Sequence, residues 1–271
     1  MKRIINFLLI FSMLAGFAGM DAKTTKSKSK KKTTTQTKLP VTKGETKQYG
    51  DYLTTQFFTV KKGKENKVTV EYPIGGNPQL VKTLRDAIVE SMINGDETSA
   101  KKPAIAPETP EELLRKMLKG KKDVGYNQIG ESLEEDITIS YASPSVVTLS
   151  DVGYSYTGGA HGLPWSLHTT YLVEDGSKLD SSMLPSIDKM RPYILNGIAK
   201  YYDTSVSNLS DYLFENPRDI DYGTVYVNGD GLNVIYQVYE IAPYSDGQIN
   251  AVIPISDIYN IVSPTVQKFL K

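Results

Sequence analysis

Both histidines of the chain, His161 and His168, fall in one stretch of twenty residues, YSYTGGAHGLPWSLHTTYLV (154–173), together with the single tryptophan, Trp165. Imidazoles can ligate a metal, act as a general base, or simply hydrogen-bond. A metal pair sits three or four residues apart on a helix and two apart on a strand. A spacing of seven across Pro164 gives no convergence, and no HExxH pattern occurs, so no metal site is expected. As a general base, His161 needs a nucleophile and an orienting acid. Ser155, Ser166 and Asp151 are close in sequence, which says nothing of space. The reading preferred here is a hydrogen-bonded structural histidine, because catalytic geometry is demanding. Were the protein an enzyme, the residues would be His161 with Glu240 and Asp151.

Gly158, Gly159 and Gly162 permit positive φ or close backbone approach. Successive N–H groups in such a turn can hold an anion. The Gly-x-x-x-x-Gly-Lys-Ser/Thr run of a phosphate loop is absent, however. A second distinctive stretch, VYEIAPY (238–244), is followed by Asp246-Gly247 and Ile253-Pro254. Glu240 stands there among apolar and aromatic neighbours, and if buried it must find donors. A structural carboxylate that pins the following loop is expected. Aromatic residues of this kind usually belong to a core or sheet face, but an exposed cluster binds partners. The candidate binding residues are Tyr154, Tyr156, Gly158, Gly159, His161, Trp165, Tyr239 and Tyr244. No cofactor is expected.

The elements that must position these residues begin well down the chain. MKRIINFLLIFSMLAGFAGM has a basic end, an apolar run too short to span a bilayer comfortably, and small residues. It reads as a signal peptide over 1–18. Met20 stands where a lipoprotein would need cysteine, so there is no lipidation site and an exported product is expected, in the periplasm or cell envelope. The chain has no cysteine at all, which removes disulfides, thiol catalysis and cysteine-ligated zinc. Residues 19–48 are rich in Lys, Thr and Ser and poor in apolar side chains, and read as a disordered tether. Membrane contact is expected only through the signal segment or this basic tether.

Net charge is zero overall but unevenly placed. Residues 21–48 hold nine Lys against two acids, whereas from Tyr49 onward 20 Lys and Arg face 29 Asp and Glu. The acidic part excludes nucleic acid as a partner, since phosphate binding needs a cationic face. It favours cationic partners.

Alternation of Val68, Val70 and Tyr72 predicts a strand, PIGGNP a turn, and Leu80, Leu84, Ile88 and Met92 a helix. A second helix starts after Thr109 with Pro and acid in its first turn. From Glu134 strands dominate: 137–141, 146–149, 154–156 and 167–173, with TGGAHG as a connection. A helix over about 187–202 follows, then a hairpin about Asn228-Gly-Asp-Gly231, a strand near 250–254, and a last helix from Ser256. The class is α+β: an antiparallel sheet with helices packed on one face, preceded by a smaller α/β element. The expected domains are 49–130 and 131–271.

Together, YTGGAHG (156–162), Gly231-Leu232, YEIAPY (239–244) and the Ile-Pro before the last helix resemble the RsiV-like C-terminal domain family of exported bacterial proteins. Val68–Met92 resembles the small domain that usually precedes it. The resemblance implies an α+β fold and an envelope location. Some members are membrane-anchored anti-sigma factors whose outer domain binds lysozyme, and others accompany a polysaccharide deacetylase domain. No cytoplasmic anti-sigma segment precedes the apolar run, and the deacetylase's Asp and His motifs are absent, so neither activity is expected. The resulting expectation is a non-enzymatic envelope binding or sensing domain. Its partner is an envelope protein or glycan; a separate alternative is an inhibitor that binds a basic lysozyme-like enzyme. The other alternative is an envelope glycan hydrolase or transferase using His161 and a carboxylate.

Overall fold

The computed structural model describes residues 39–94, 109–119 and 132–271. The expected signal peptide and most of the tether lie outside them, as do residues 95–108 and 120–131.

Six strands form one sheet in chain order: β1 (Val41–Tyr49), β2 (Leu53–Lys62), β3 (Asn66–Gly76), β4 (Ser132–Ala142), β5 (Val146–Tyr156) and β6 (Leu163–Leu172). Every neighbouring pair is antiparallel except β3 and β4, which run parallel with Val68 opposite Glu135. Between them the chain passes through helices α1 (Pro78–Asn94) and α2 (Pro110–Lys119). Parallel strands need a crossover of this sort. The domain boundary expected at 130 therefore falls inside a continuous sheet.

One face of this sheet packs against α1 and α2. Leu80, Leu84, Ile88 and Leu114 meet Val68, Val70, Ile137, Val147 and Leu149 there. The apolar positions of α1 recur at helical spacing, and burying them is what fixes the helix to the sheet. The other face meets the remainder of the chain: helix α3 (Ile187–Tyr201) and a three-stranded antiparallel sheet, β7 (Thr224–Asn228), β8 (Gly231–Tyr236) and β9 (Ile249–Ile253), in that order. A second core of Met190, Ile194, Ile198, Val234, Tyr236 and Ala251 lies within this part. Two short helices, α4 (Ile255–Ile258) and α5 (Pro264–Gln267), end the chain.

The α+β class holds, with corrections in detail. Val41–Tyr49, of which residues 41–48 fall in the expected tether, is an edge strand whose seven central residues are exposed. It carries no apolar alternation because neither face is buried. β2 was not anticipated either. Its buried positions are 53, 55, 58 and 60, so a register shift after Thr54 and a change of phase hide the period of two. The turn expected from Pro73 is strand as far as Gly76. The segments 146–149 and 154–156 are one strand, and the final helix is two short ones.

Candidate functional site

The period of two along a strand sends neighbouring side chains to opposite faces. On β5, Val147, Leu149 and Asp151 face α1, whereas Thr148, Ser150 and Tyr154 face the smaller sheet. On β6, Trp165 and Tyr171 face α1, and Ser166, His168 and Thr170 face the smaller sheet. The stretch 154–173 is thus split in two by pleating.

On the helix face, Asp151 accepts a hydrogen bond from Trp165 Nε1 (2.7 Å) and another from Ser91 of α1. It also shares one with Glu135 of β4, which is itself buried. Burial pushes the Asp151 carboxyl up, against those three hydrogen bonds, which pull it down. Trp165 leaves no room at its neighbour: a Cβ on Gly153 would lie 2.2 Å from the indole. Trp165 and Asp151 are therefore half-buried and buried parts of a packed face.

On the opposite face, His168 is wedged between two serines, Ser150 Oγ at Nδ1 (2.6 Å) and Ser166 Oγ at Nε2 (2.7 Å), with its ring stacked on Tyr226 at 4.2 Å. Burial lowers its pKa to about 4, so it is neutral at pH 7, one nitrogen donating and the other accepting. Around it runs a polar seam between the sheets. Thr148 and Thr170 bond the carbonyl (2.6 Å) and N–H (2.8 Å) of Val227, and Gln237 pairs with both the N–H (3.1 Å) and carbonyl (2.8 Å) of Ser166.

His161 lies in the β5–β6 connection, at the end of this second face. Gly158 and Gly159 take φ of +103° and +100°, a region costly for residues with a Cβ. Gly162 serves through space: a Cβ there would meet the Tyr154 ring at 2.2 Å and the Ser155 carbonyl at 2.6 Å. Tyr156 ties the loop back to the Gly159 carbonyl (2.8 Å), and Tyr154 accepts the Gly162 N–H (3.0 Å). The loop then meets the other distinctive motif. Tyr244 stacks on His161 with ring centres 4.0 Å apart and donates to the Gly162 carbonyl (2.9 Å). Tyr239 reaches His161 Nε2 at 3.2 Å. Because the Gly162 carbonyl can only accept, its 2.9 Å contact requires a ring proton on His161 Nδ1.

Tyr239 is half exposed (49%) and has φ of +66°, a left-handed backbone that costs a Cβ-bearing residue about 1–2 kcal/mol. Glu240 makes that turn: its carboxylate accepts the Gln237 N–H at 2.8 Å. The side chain is exposed rather than buried, and this bond ties it back to the preceding residues rather than to the loop that follows.

The structure thus brings Tyr154, Tyr156, His161, Tyr239 and Tyr244 together, with Gly158 and Gly159 forming the tip. Trp165 is held away on the helix face. Of the set considered for catalysis, Asp151 projects from the face opposite to Ser150 and Tyr154, and His161 is oriented at Nδ1 by a backbone carbonyl instead of a carboxylate. Residues not anticipated extend the surface. Phe214 (58% exposed) is tied by its N–H to the Ile241 carbonyl (3.0 Å), and Tyr201 and Tyr202 both donate to Asp246 (2.7 and 2.8 Å), with the Tyr212 ring tilted against Tyr202, centres 4.5 Å apart. Burial and the Asp246 bond push the Tyr202 hydroxyl up. Adjacent tyrosines in YY and DYLF were the available signal.

Residues 180–256, which carry α3 and the three-stranded sheet, match the model of DUF3298, a family of proteins of unknown function. Two crystal structures of DUF3298 family members share the wider fold. One, from Bacteroides fragilis, matches with a TM-score of 0.57 at 14% identity over 80% of this chain and 97% of its own. The other, from Pseudomonas aeruginosa, has a TM-score of 0.55 at 17% identity over 86% of this chain and 97% of its own. No curated protein sequence is significantly similar to this chain. Tyr239 and Tyr244 lie within the matched segment; Tyr154 and His161 lie before it.

Proposed function

We propose that this protein is a non-enzymatic binding domain of the cell envelope, and that the cluster of Tyr154, His161, Tyr239 and Tyr244 holds its ligand, a protein or glycan. The observation that carries this reading is Tyr239. A large aromatic side chain is kept half exposed in a left-handed conformation, at a point where two motifs 78 residues apart converge. Strained residues of this kind gather where a ligand is held, and exposed aromatics are strong anchors.

Charge favours a cationic partner. From Tyr201 to Asp257 the chain has one cation, Arg218, against nine acids, eight of them exposed. Such a field steers basic proteins toward the aromatic surface. Resemblance of the TGGAHG and YEIAPY motifs to the RsiV-like domain supports the same choice, a basic lysozyme-like enzyme. The signal-like start and the lysine-rich segment after it support export. Among the described residues no helix is long and apolar enough to cross a membrane.

Calorimetric titration with lysozyme, with an acidic protein of similar size, and with soluble cell-wall glycan tests the reading. Binding of lysozyme or glycan that falls at least ten-fold in Tyr239→Ala/Tyr244→Ala, with the melting curve preserved, supports it. Binding that survives the double substitution, or no binding of any of these and no partner from an envelope extract, overturns it.

A further inference from the structure

The three-stranded sheet has two outer edges, and they are treated differently. On β7, Val227 is closed off by Thr170 and Thr148 of the larger sheet, which take its N–H and carbonyl. On the other side, β9 pairs with β8, and no strand lies beyond it among the described residues. An open edge is a template for another strand unless charge, proline or a bulge protects it. Ile249-Asn-Ala-Val-Ile253 has no charged residue and no proline, and its register with β8 is unbroken.

Beside β9 runs a cleft of about 380 Å³, lined by Tyr193, Asn196 and Lys200 of α3 and by Val252, Pro254 and Asp257. Helix α3 lies antiparallel to β9. Gly197 sits against Ala251, where a Cβ would approach the Ala251 Cβ to 2.8 Å, and Tyr201 bonds the carbonyl of Asp246, three residues before the strand starts. Lys200 is therefore toward the beginning of β9, and Asp257 follows its end. Neither belongs to an ion pair among the described residues. A strand edge with a cation at one end and an anion at the other is complementary to itself after a half-turn.

We propose that β9 pairs antiparallel with β9 of a second copy of this chain about a two-fold axis. The two three-stranded sheets join into one of six, and Lys200 of each copy meets Asp257 of the other. Such an interface is isologous, so each charge pair occurs twice. The new strand neighbours stand about 4.8 Å apart. Five residues make a short seam, and the dimer forms at micromolar or higher concentration. The proposal rests on the strand edge and its two charges and does not invoke Tyr154, His161, Tyr239 or Tyr244.

Sedimentation of the full chain from about 1 to 300 µM tests it. The expected result is a shift from the 30.0 kDa monomer to a species of twice that mass. Val252→Lys, a charge on the open edge, abolishes the dimer and leaves the melting midpoint in place. Lys200→Glu and Asp257→Lys each weaken association roughly ten-fold, and the double variant restores it. A monomer at every concentration overturns the proposal, as does a dimer indifferent to Val252→Lys and to the charge swaps. A monomer whose β9 edge instead takes up an added extended peptide also overturns it, and would assign the edge to a foreign strand.

Discussion

Seven residues separate His161 from His168 on one hairpin, yet the two rings occupy opposite kinds of surroundings. His168 has both nitrogens spent on serine hydroxyls, a tyrosine ring against its face, and a pKa lowered to about 4 by burial. His161 is exposed, oriented by one carbonyl, and flanked by two tyrosines brought from 78 and 83 residues away. The residue type is the same and the sheet is the same; the neighbours differ. One imidazole fastens two sheets together, and the other completes a surface. An imidazole's role is set by what meets its two nitrogens and its faces, which spacing along the chain does not specify.

The contrast can be broken most directly at His168. His168→Ala leaves two serine hydroxyls without their partner and a space beside Tyr226, and should cost about 3 kcal/mol in urea unfolding. His161→Ala should cost less than about 0.5 kcal/mol. Equal costs for the two would show that the loop histidine is also a structural fastener. The next largest effect is on pH. The folded pKa of His168, about 4, lies below its ordinary 6.5, so the unfolded chain takes up the proton first as pH falls. The stability contributed is complete above pH 6.5 and is lost between there and about pH 4. Its size is on the order of 2 kcal/mol, allowing for partial exposure of the ring. Unfolding at pH 7.5 and 4.5 measures it, and His168→Gln should remove that part of the slope while carboxylates keep theirs.

Gln237→Leu sharpens the view of the seam. It strands the N–H and carbonyl of Ser166 between the sheets and should cost about 2 kcal/mol, measured the same way. A loss under 0.5 kcal/mol would mean that the seam contributes little beyond its apolar surroundings. The smallest stability effect is expected at the exposed surface. Tyr239→Gly relieves the left-handed backbone and gives up a half-exposed ring, changing stability by less than about 1 kcal/mol. It should still weaken ligand binding at least ten-fold in titration. Retained affinity would show that the strained tyrosine serves the turn alone.

Much of the frame could be read from the chain. The helical spacing of Leu80, Leu84, Ile88 and Met92, the turn at Asn228–Gly231 and the TGGAHG connection all occur where local pattern and local structure agree. The failures have physical causes. β1 pairs through its backbone while both of its faces stay wet, so no apolar period marks it. In β5, Ser150, Asp151 and Gly153 look like a break, but partners from β6 and α1 satisfy each one: His168, then Trp165 and Ser91, then the indole packed over the missing Cβ. The parallel pairing of β3 with β4 is non-local and leaves no signature in either strand. At the site, both motifs were visible, yet Glu135, Ser150 and Gln237 had no distinguishing pattern, and Trp165 was grouped with residues that pleating sends to the other face.

What the sequence by itself determined is the α+β class, the helices and hairpins with strong periodicity, the acidic character of the folded part, and the two motifs that matter. These follow from side-chain spacing and composition, which act over a few residues. The tertiary structure decided which face of the sheet each motif residue joined, that Tyr239 and Tyr244 would close on His161, and that His168 would be sealed between serines. Those outcomes depend on contacts between segments dozens of residues apart, where pleating and burial select the neighbours and the neighbours select the chemistry.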